Sequence, residues 1–180
     1  MPAPRQMTAN TLNALKGWPQ MNAVDYHAKF SATIPSGDLP VLAGSVVSLN
    51  SSGDFILGVG NTKVMPMFSF NNSDDPDVSN EGGNASTDRG VFIPMSPTGQ
   101  AMALVAIGAY ELVSTAFVSG SYAINQPLTA NLSGSAAPGK LRGGTLYTNM
   151  IVGFVSRGLV DNGYGQNALA FWPFPVFPTT

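Results

Sequence analysis

Cysteine is absent from the 180 residues, and histidine occurs once, as His27. Charge is scarce as well: 10% of the side chains are Asp, Glu, Lys or Arg, against roughly 25% in an ordinary soluble domain. Each shortage removes a class of chemistry. Without cysteine there is no thiol nucleophile, no disulfide framework and no thiolate metal site. With one histidine there is no histidine pair for a metal and almost no general base. A net charge of −2 leaves no basic stripe to neutralise phosphates, so nucleic acid is not the expected partner. The eight Lys and Arg are scattered from Arg5 to Arg157. Long apolar runs are missing too: the longest, residues 101–109, ends just before Glu111, whereas a membrane helix needs about 20 residues. The opening Met1–Gln6 has no apolar stretch after its charge, so neither an export signal nor a membrane partner is expected. Few charges also leave a surface poorly protected against association. The expectation is a structural protein that packs against copies or partners, and not an enzyme.

Serine, threonine, asparagine and glycine fill the polar positions, and between them lie short β-branched or aromatic runs bounded by Gly, Pro, Asn and Asp, the signature of strands. Strands are expected over residues 26–34, 41–49, 55–59, 64–70, 90–94, 110–118, 128–130, 141–146, 149–157 and 168–172. Asn50–Asp54 reads as a hairpin loop with Gly53 where a positive φ is wanted. Pro66 inside the 64–70 run suggests an edge or a bulge. Residues 101–108 fit a strand or a buried helix, because periodicity does not separate the two at that length. The fold class is all-β: a compact antiparallel β-barrel or sandwich with extended N-terminal and C-terminal arms. Residues 1–25 form the N-terminal arm, broken by Pro2, Pro4 and Gly17-Trp18-Pro19, with a helical turn or two over residues 8–16 that places Leu12 and Leu15 together. Residues 26–172 form the β-rich domain, and residues 173–180 a Pro/aromatic C-terminal tail.

Candidate chemistry is thin. Gly134-Ser135-Ala136-Ala137-Pro138-Gly139-Lys140 has the glycine and lysine spacing of a phosphate-binding loop, but Leu141 stands where a hydroxyl must reach magnesium, and Gly143-Gly144 opposes a following helix. A glycine-rich turn between strands is the better account. Residues 71–90 form a long acidic loop holding half of the ten acids, Asp74, Asp75, Asp77, Glu81 and Asp88. Its oxygens suit calcium, yet the spacing of a calcium-binding EF-hand loop is missing, so a solvated loop is expected. His27 has Asp25 two residues away and Ser31 four residues on. No Gly-x-Ser-x-Gly elbow accompanies it. Asp54, Glu111 and Asp161 are the acids in strand-loop contexts, and nothing selects a catalytic pair from them. The Asn-x-Ser sequons at Asn50, Asn71, Asn84 and Asn131 fit a Ser/Asn-rich composition. No cofactor and no metal are expected.

The most specific physical signal is the ending, Trp172-Pro173-Phe174-Pro175-Val176-Phe177-Pro178. Proline at this frequency forbids helix and favours an extended chain. Its aromatics left in water would form an apolar patch, so the tail must lie in a groove, its own or a partner's. Trp172, Phe174 and Phe177 are candidate partner contacts, together with Trp18 and Met21 of the N-terminal arm.

Two stretches carry a family resemblance. One is Pro40-Val41-Leu42-Ala43-Gly44-Ser45-Val46-Val47-Ser48-Leu49, continuing into Gly53-Asp54-Phe55-Ile56-Leu57-Gly58. The other runs from Tyr122 through Asn125-Gln126-Pro127-Leu128-Thr129-Ala130 and Gly139-Lys140-Leu141 to Ile151-Val152-Gly153-Phe154-Val155-Ser156-Arg157-Gly158. They resemble the head decoration, or cement, proteins of tailed bacteriophages, discontinuously over residues 40–172. The resemblance implies a virion protein on the capsid exterior, made in the host cytoplasm, that clamps neighbouring capsomers as a trimer or dimer. Its implied partners are the major capsid protein and copies of itself. It brings no catalytic residues, and it does not extend to the acidic loop or the tail. The alternatives are another virion component (head fibre, tail or minor capsid subunit) and a carbohydrate-binding β module stacking sugars on Trp18 or Trp172.

Overall fold

The β-branched and aromatic runs become strands in the computed structural model, which describes residues 12–16, 23–38, 41–69, 100–106, 111–161 and 165–179. The strands are β1 (Leu12–Lys16), β2 (Ala23–Lys29), β3 (Val46–Leu49), β4 (Phe55–Leu57), β5 (Met67–Ser69), β6 (Gln100–Ala106), β7 (Glu111–Ser114), β8 (Pro127–Ala130), β9 (Leu141–Gly143), β10 (Gly153–Asp161) and β11 (Asn167–Trp172). They form a six-stranded sheet in the order β1-β7-β11-β10-β8-β9 and a five-stranded sheet in the order β2-β6-β5-β3-β4. Every strand pair is antiparallel. The fold is all-β and sandwich-like. Among the described residues no α-helix occurs, and no helix is long and apolar enough to cross a membrane.

Apolar periodicity explains the layering. Neighbouring residues of a strand face opposite ways. Val46 of β3 and Phe68 of β5 share the central core with Leu112, Leu128, Leu169 and Phe171 of the larger sheet. The Phe68 and Phe171 rings meet across the sheets at 5.3 Å between centroids. Val47 and Met67, one residue along, face the other way and pack with Phe30, Ile34, Val41, Phe55 and Leu57. The larger sheet repeats the arrangement: Val113, Ala168 and Ala170 are buried on the face opposite Leu112 and Leu169. Both sheets therefore bury both faces in part. That is why Val46-Val47 and Ala168–Phe171 read as continuous apolar runs rather than alternating ones.

Two expectations change. Residues 12–16 are strand, not helical turn, with the register shifting between Ala14 and Lys16. Leu, Ala and Lys favour helix by small margins, which the ladder to β7, from Leu12↔Ser114 to Lys16↔Glu111, overrides. Pro66 precedes β5 instead of interrupting it, and β5 is an inner strand between β3 and β6. Residues 100–106 resolve as strand, registered along β2 from Lys29↔Gln100 to Ala23↔Ala106. The Asn50–Asp54 hairpin forms as expected: Asn50 Oδ1 accepts the N–H groups of Ser52 and Asp54, each at 2.9 Å, and Gly53 has φ 80°. The expected strand at 90–94, the acidic loop with its calcium question, Trp18 and Met21 lie outside the described residues.

The sheets are stitched together at one end. The Val59 and Gly60 N–H groups donate to the Ala130 carbonyl, Ser133 N–H donates to Leu57, and Val46 N–H donates to Gly139. Nearby, the Tyr122 hydroxyl donates to the Val118 carbonyl at 2.5 Å, and its ring meets Phe117 edge-on. Burial pushes the Tyr122 phenol above its ordinary 10.0, partly offset by Arg142. A phenol raised in the fold contributes stability that is complete below the unfolded value, near pH 10, and is lost as pH rises through the folded one. As pH rises above 10 the urea midpoint should therefore fall more in the wild type than in Tyr122→Phe. At pH 7 that variant should cost about 1 kcal/mol, the worth of one hydrogen bond.

Candidate functional site

Residues 172–179 form a strap along the body. The Val176 N–H donates to the Ile151 carbonyl at 3.0 Å and the Ile151 N–H to the Val176 carbonyl at 2.9 Å. Three residues on, the Thr179 N–H donates to the Tyr147 carbonyl at 3.0 Å. Pro173 and Pro178 are buried, whereas Trp172, Phe174 and Phe177 are 41%, 55% and 45% exposed. The tail thus lies on its own chain with its aromatics outward. Proline has no N–H, so burying it leaves no orphan donor and lets the strap seat on its prolines. The same missing donors blunt the strap as a sheet edge. Whatever covers it must bury side chains instead of adding a strand.

The turn that bonds to the strap through the Tyr147 carbonyl carries two more exposed apolar residues. Leu146 and Tyr147 are exposed in a loop of Gly, Thr and Asn. Tyr147 has φ 66°, a conformation uncommon for a bulky residue. The turn that imposes it is closed by Asn149: its N–H donates to the Thr145 carbonyl at 3.0 Å, and its Oδ1 accepts the Thr145 N–H at 2.7 Å. Asn149 in turn donates to Asn61 Oδ1 at 2.7 Å. Sequence reasoning missed these two residues. Leu146 and Tyr147, two bulky apolar residues within a Gly/Thr/Asn turn, are the available signal; the bond of the Tyr147 carbonyl to Thr179 is not readable along the chain.

The acids are engaged locally. Glu111, 2% exposed on β7, accepts a two-pronged contact from Arg157: Nε to Oε1 at 2.9 Å and Nη2 to Oε2 at 2.7 Å, with the Ser156 hydroxyl donating to Oε1. Ser156 and Arg157 are the extra residues of a bulge where β10 slips against β11 between Val155 and Gly158. The bulge aims them across β11 at Glu111. The arrangement ties strands together. Arg157 is half exposed and regains water if Glu111 is removed, while Glu111 does not if Arg157 is removed. Arg157→Ala should therefore cost about 3 kcal/mol and Glu111→Gln less than half of that, read from urea unfolding. Asp161 Oδ1 accepts the Gly165 N–H at 3.2 Å, and Asp54 lies in the Asn50 hairpin. His27 falls on β2. Among the described residues no three His, Asp or Glu side chains gather as a metal site would require.

The glycine-lysine segment 134–140 leads into strand β9, as a turn between strands does. It borders an open cleft of about 450 Å³ lined by Asp38, Val41, Leu42, Leu57, Pro138 and Lys140 among others. Asp38 Oδ2 accepts the Gly134 N–H at 3.0 Å across the cleft's rim. Of the residues singled out from the sequence, Trp172, Phe174 and Phe177 are each exposed along the strap. No protein-family model, no curated protein and no solved structure matches this chain.

Proposed function

We propose that the chain is a structural virion protein that docks on the outer surface of an assembled phage capsid and bridges neighbouring capsomers. The observation that carries this reading is the strap: an apolar strip of Trp172, Phe174 and Phe177, pinned through its backbone and facing outward. Contiguous exposed apolar surface marks an interaction site, and clustered aromatics are the residues on which interface energy concentrates. A pinned strap also loses little conformational freedom on docking. The scarcity of charge and the resemblance in residues 40–172 to head decoration proteins supply the kind of partner, the major capsid protein.

The mechanism is mass action. A protein that binds the assembled shell and not its separated subunits stabilises the shell by its binding free energy. An oligomer with several straps multiplies that effect through avidity. The test is a heat or low-salt challenge of shells purified without the protein, with and without adding it back. Binding with raised rupture temperature supports the reading. Absence of both refutes it.

A further inference from the structure

We propose that the cleft beside the 134–140 turn binds a small zwitterion with an aliphatic body, such as a free amino acid or a dipeptide presents. At about 450 Å³ the cleft falls within the roughly 300–1,000 Å³ of small-molecule sites. Its walls come from separate parts of the chain: the short turn at Ser36–Asp38, the segment leading into β3, Leu57 of β4 and the 134–140 turn. Backbone bonds fix them in place. The Asp38 N–H donates to Pro35 at 2.9 Å, the Ser45 N–H to Leu42 at 3.0 Å and the Val46 N–H to Gly139 at 2.7 Å. The Asp38 carboxylate joins two walls by accepting the Gly134 N–H. A cleft held in this way is formed before any ligand arrives, which lowers the cost of binding.

Three polar groups of the cleft are left unmatched. Among the described residues the Lys140 ammonium has no partner, and Asp38 uses Oδ2 but not Oδ1. Ser45 is 4% exposed, and its hydroxyl also lacks a partner among them. The unpartnered hydroxyl sealed away from solvent there is that of Ser133, so the Ser45 hydroxyl keeps access to the cleft it lines. Nearly buried polar groups are normally bonded; this one is bonded once a ligand enters. Val41 and Leu57, both buried, and Pro138 line the same space with apolar surface.

The charges select the ligand. Among the described residues Asp38 and Lys140 do not pair with each other. A simple anion would meet Lys140 while stripping water from Asp38, and a simple cation would do the reverse; each strands one charge. A ligand carrying both signs satisfies both, and its aliphatic part covers the apolar surface. The Ser45 hydroxyl, able to donate and to accept, serves either end. This inference does not depend on docking to a shell.

The test is calorimetric titration of the full chain with four probes. L-leucine and L-leucyl-L-leucine carry both charges, N-acetyl-L-leucine lacks the ammonium, and L-leucinamide lacks the carboxylate. Saturable binding of a zwitterionic probe is expected, tighter than either blocked probe by about tenfold or more, the worth of one hydrogen bond to a charged group. Lys140→Met, Asp38→Asn and Ser45→Ala should each weaken it by a similar factor. The Asp38→Asn side chain still has an oxygen to accept the Gly134 N–H. Ser45→Ala removes a hydroxyl with no partner in the fold, so the urea midpoint should stay at the wild-type value; a purely structural serine would move the midpoint and leave binding alone. The proposal is overturned if neither zwitterion binds, if the blocked probes bind equally well, or if Lys140→Met and Asp38→Asn leave the affinity unchanged.

Discussion

Replacing Gly58 by alanine is expected to destabilise the fold by about 4 kcal/mol, a large share of the 5–15 kcal/mol typical of a domain. Gly58 follows β4 with φ 77°, where an L side chain is strained by roughly 1–2 kcal/mol. The larger part is the close approach of two backbones. An added Cβ would lie 1.8 Å from the Asn131 carbonyl oxygen, 2.4 Å from its carbon and 2.9 Å from the Leu132 nitrogen. The chain has no room to swing away. The Gly58 N–H donates to Val46 at 2.8 Å, its carbonyl accepts the Ser48 hydroxyl at 2.7 Å, and Val59 N–H is bonded to Ala130. The clash is relieved only by parting the seam between the end of β4 and the end of β8. Two other glycines separate the contributions. Gly53 has φ 80° with nothing within 4 Å of an added Cβ, so Gly53→Ala should cost the backbone strain alone. Gly37 has open space and no positive φ, so Gly37→Ala should be nearly neutral. Urea midpoints should fall in the order Gly37→Ala, Gly53→Ala, Gly58→Ala. Gly58→Ala matching Gly53→Ala would show that the seam does not hold the two backbones together.

How far the sequence was legible follows from what each signal measures. Short apolar runs locate nine of the eleven strands among the described residues, because a half-buried or doubly buried strand writes its burial into adjacent residues. Boundaries ran long where burial continues beyond the ladder. The apolar run at residues 41–45 reads as strand and Val41 and Ala43 are indeed buried, yet Gly44 at φ 83° turns the chain there and the ladder starts at Val46. β1 was missed because Leu-Asn-Ala-Leu-Lys carries helix-favouring residues, and its strand conformation comes from β7, about a hundred residues away. The 100–106 ambiguity had the same remedy, since only the flanking β2 and β5 decide it. At the strap, composition identified the segment but not its orientation. A tail dense in aromatics suggests that the aromatics hide; the missing N–H of proline makes Pro173 and Pro178 the easier residues to bury. The Glu111–Arg157 pair was invisible because it depends on a bulge that re-aims two side chains across an intervening strand.

On the capsid-docking proposal, the triple variant Trp172→Ala, Phe174→Ala, Phe177→Ala is expected to lose shell binding on the order of 1,000-fold or more, since each aromatic anchor at an interface centre contributes about 2 kcal/mol. The fold should survive. The three side chains are 41%, 55% and 45% exposed, so each removes about 1 kcal/mol of partial burial at most. The bonds that seat the strap are backbone bonds of Val176, Ile151, Thr179 and Tyr147, which alanine at the three positions leaves in place. A decisive comparison is a second triple, Met65→Ala, Ile124→Ala, Leu159→Ala, which removes side chains of like exposure (43%, 63% and 43%) from other elements of the fold. Loss of shell protection with the strap triple alone, at unchanged circular dichroism, assigns docking to the strap. Equal loss from both triples would mean that general surface hydrophobicity, and not this strip, drives association. Full protection by the strap triple would remove the observation on which the capsid-docking proposal rests.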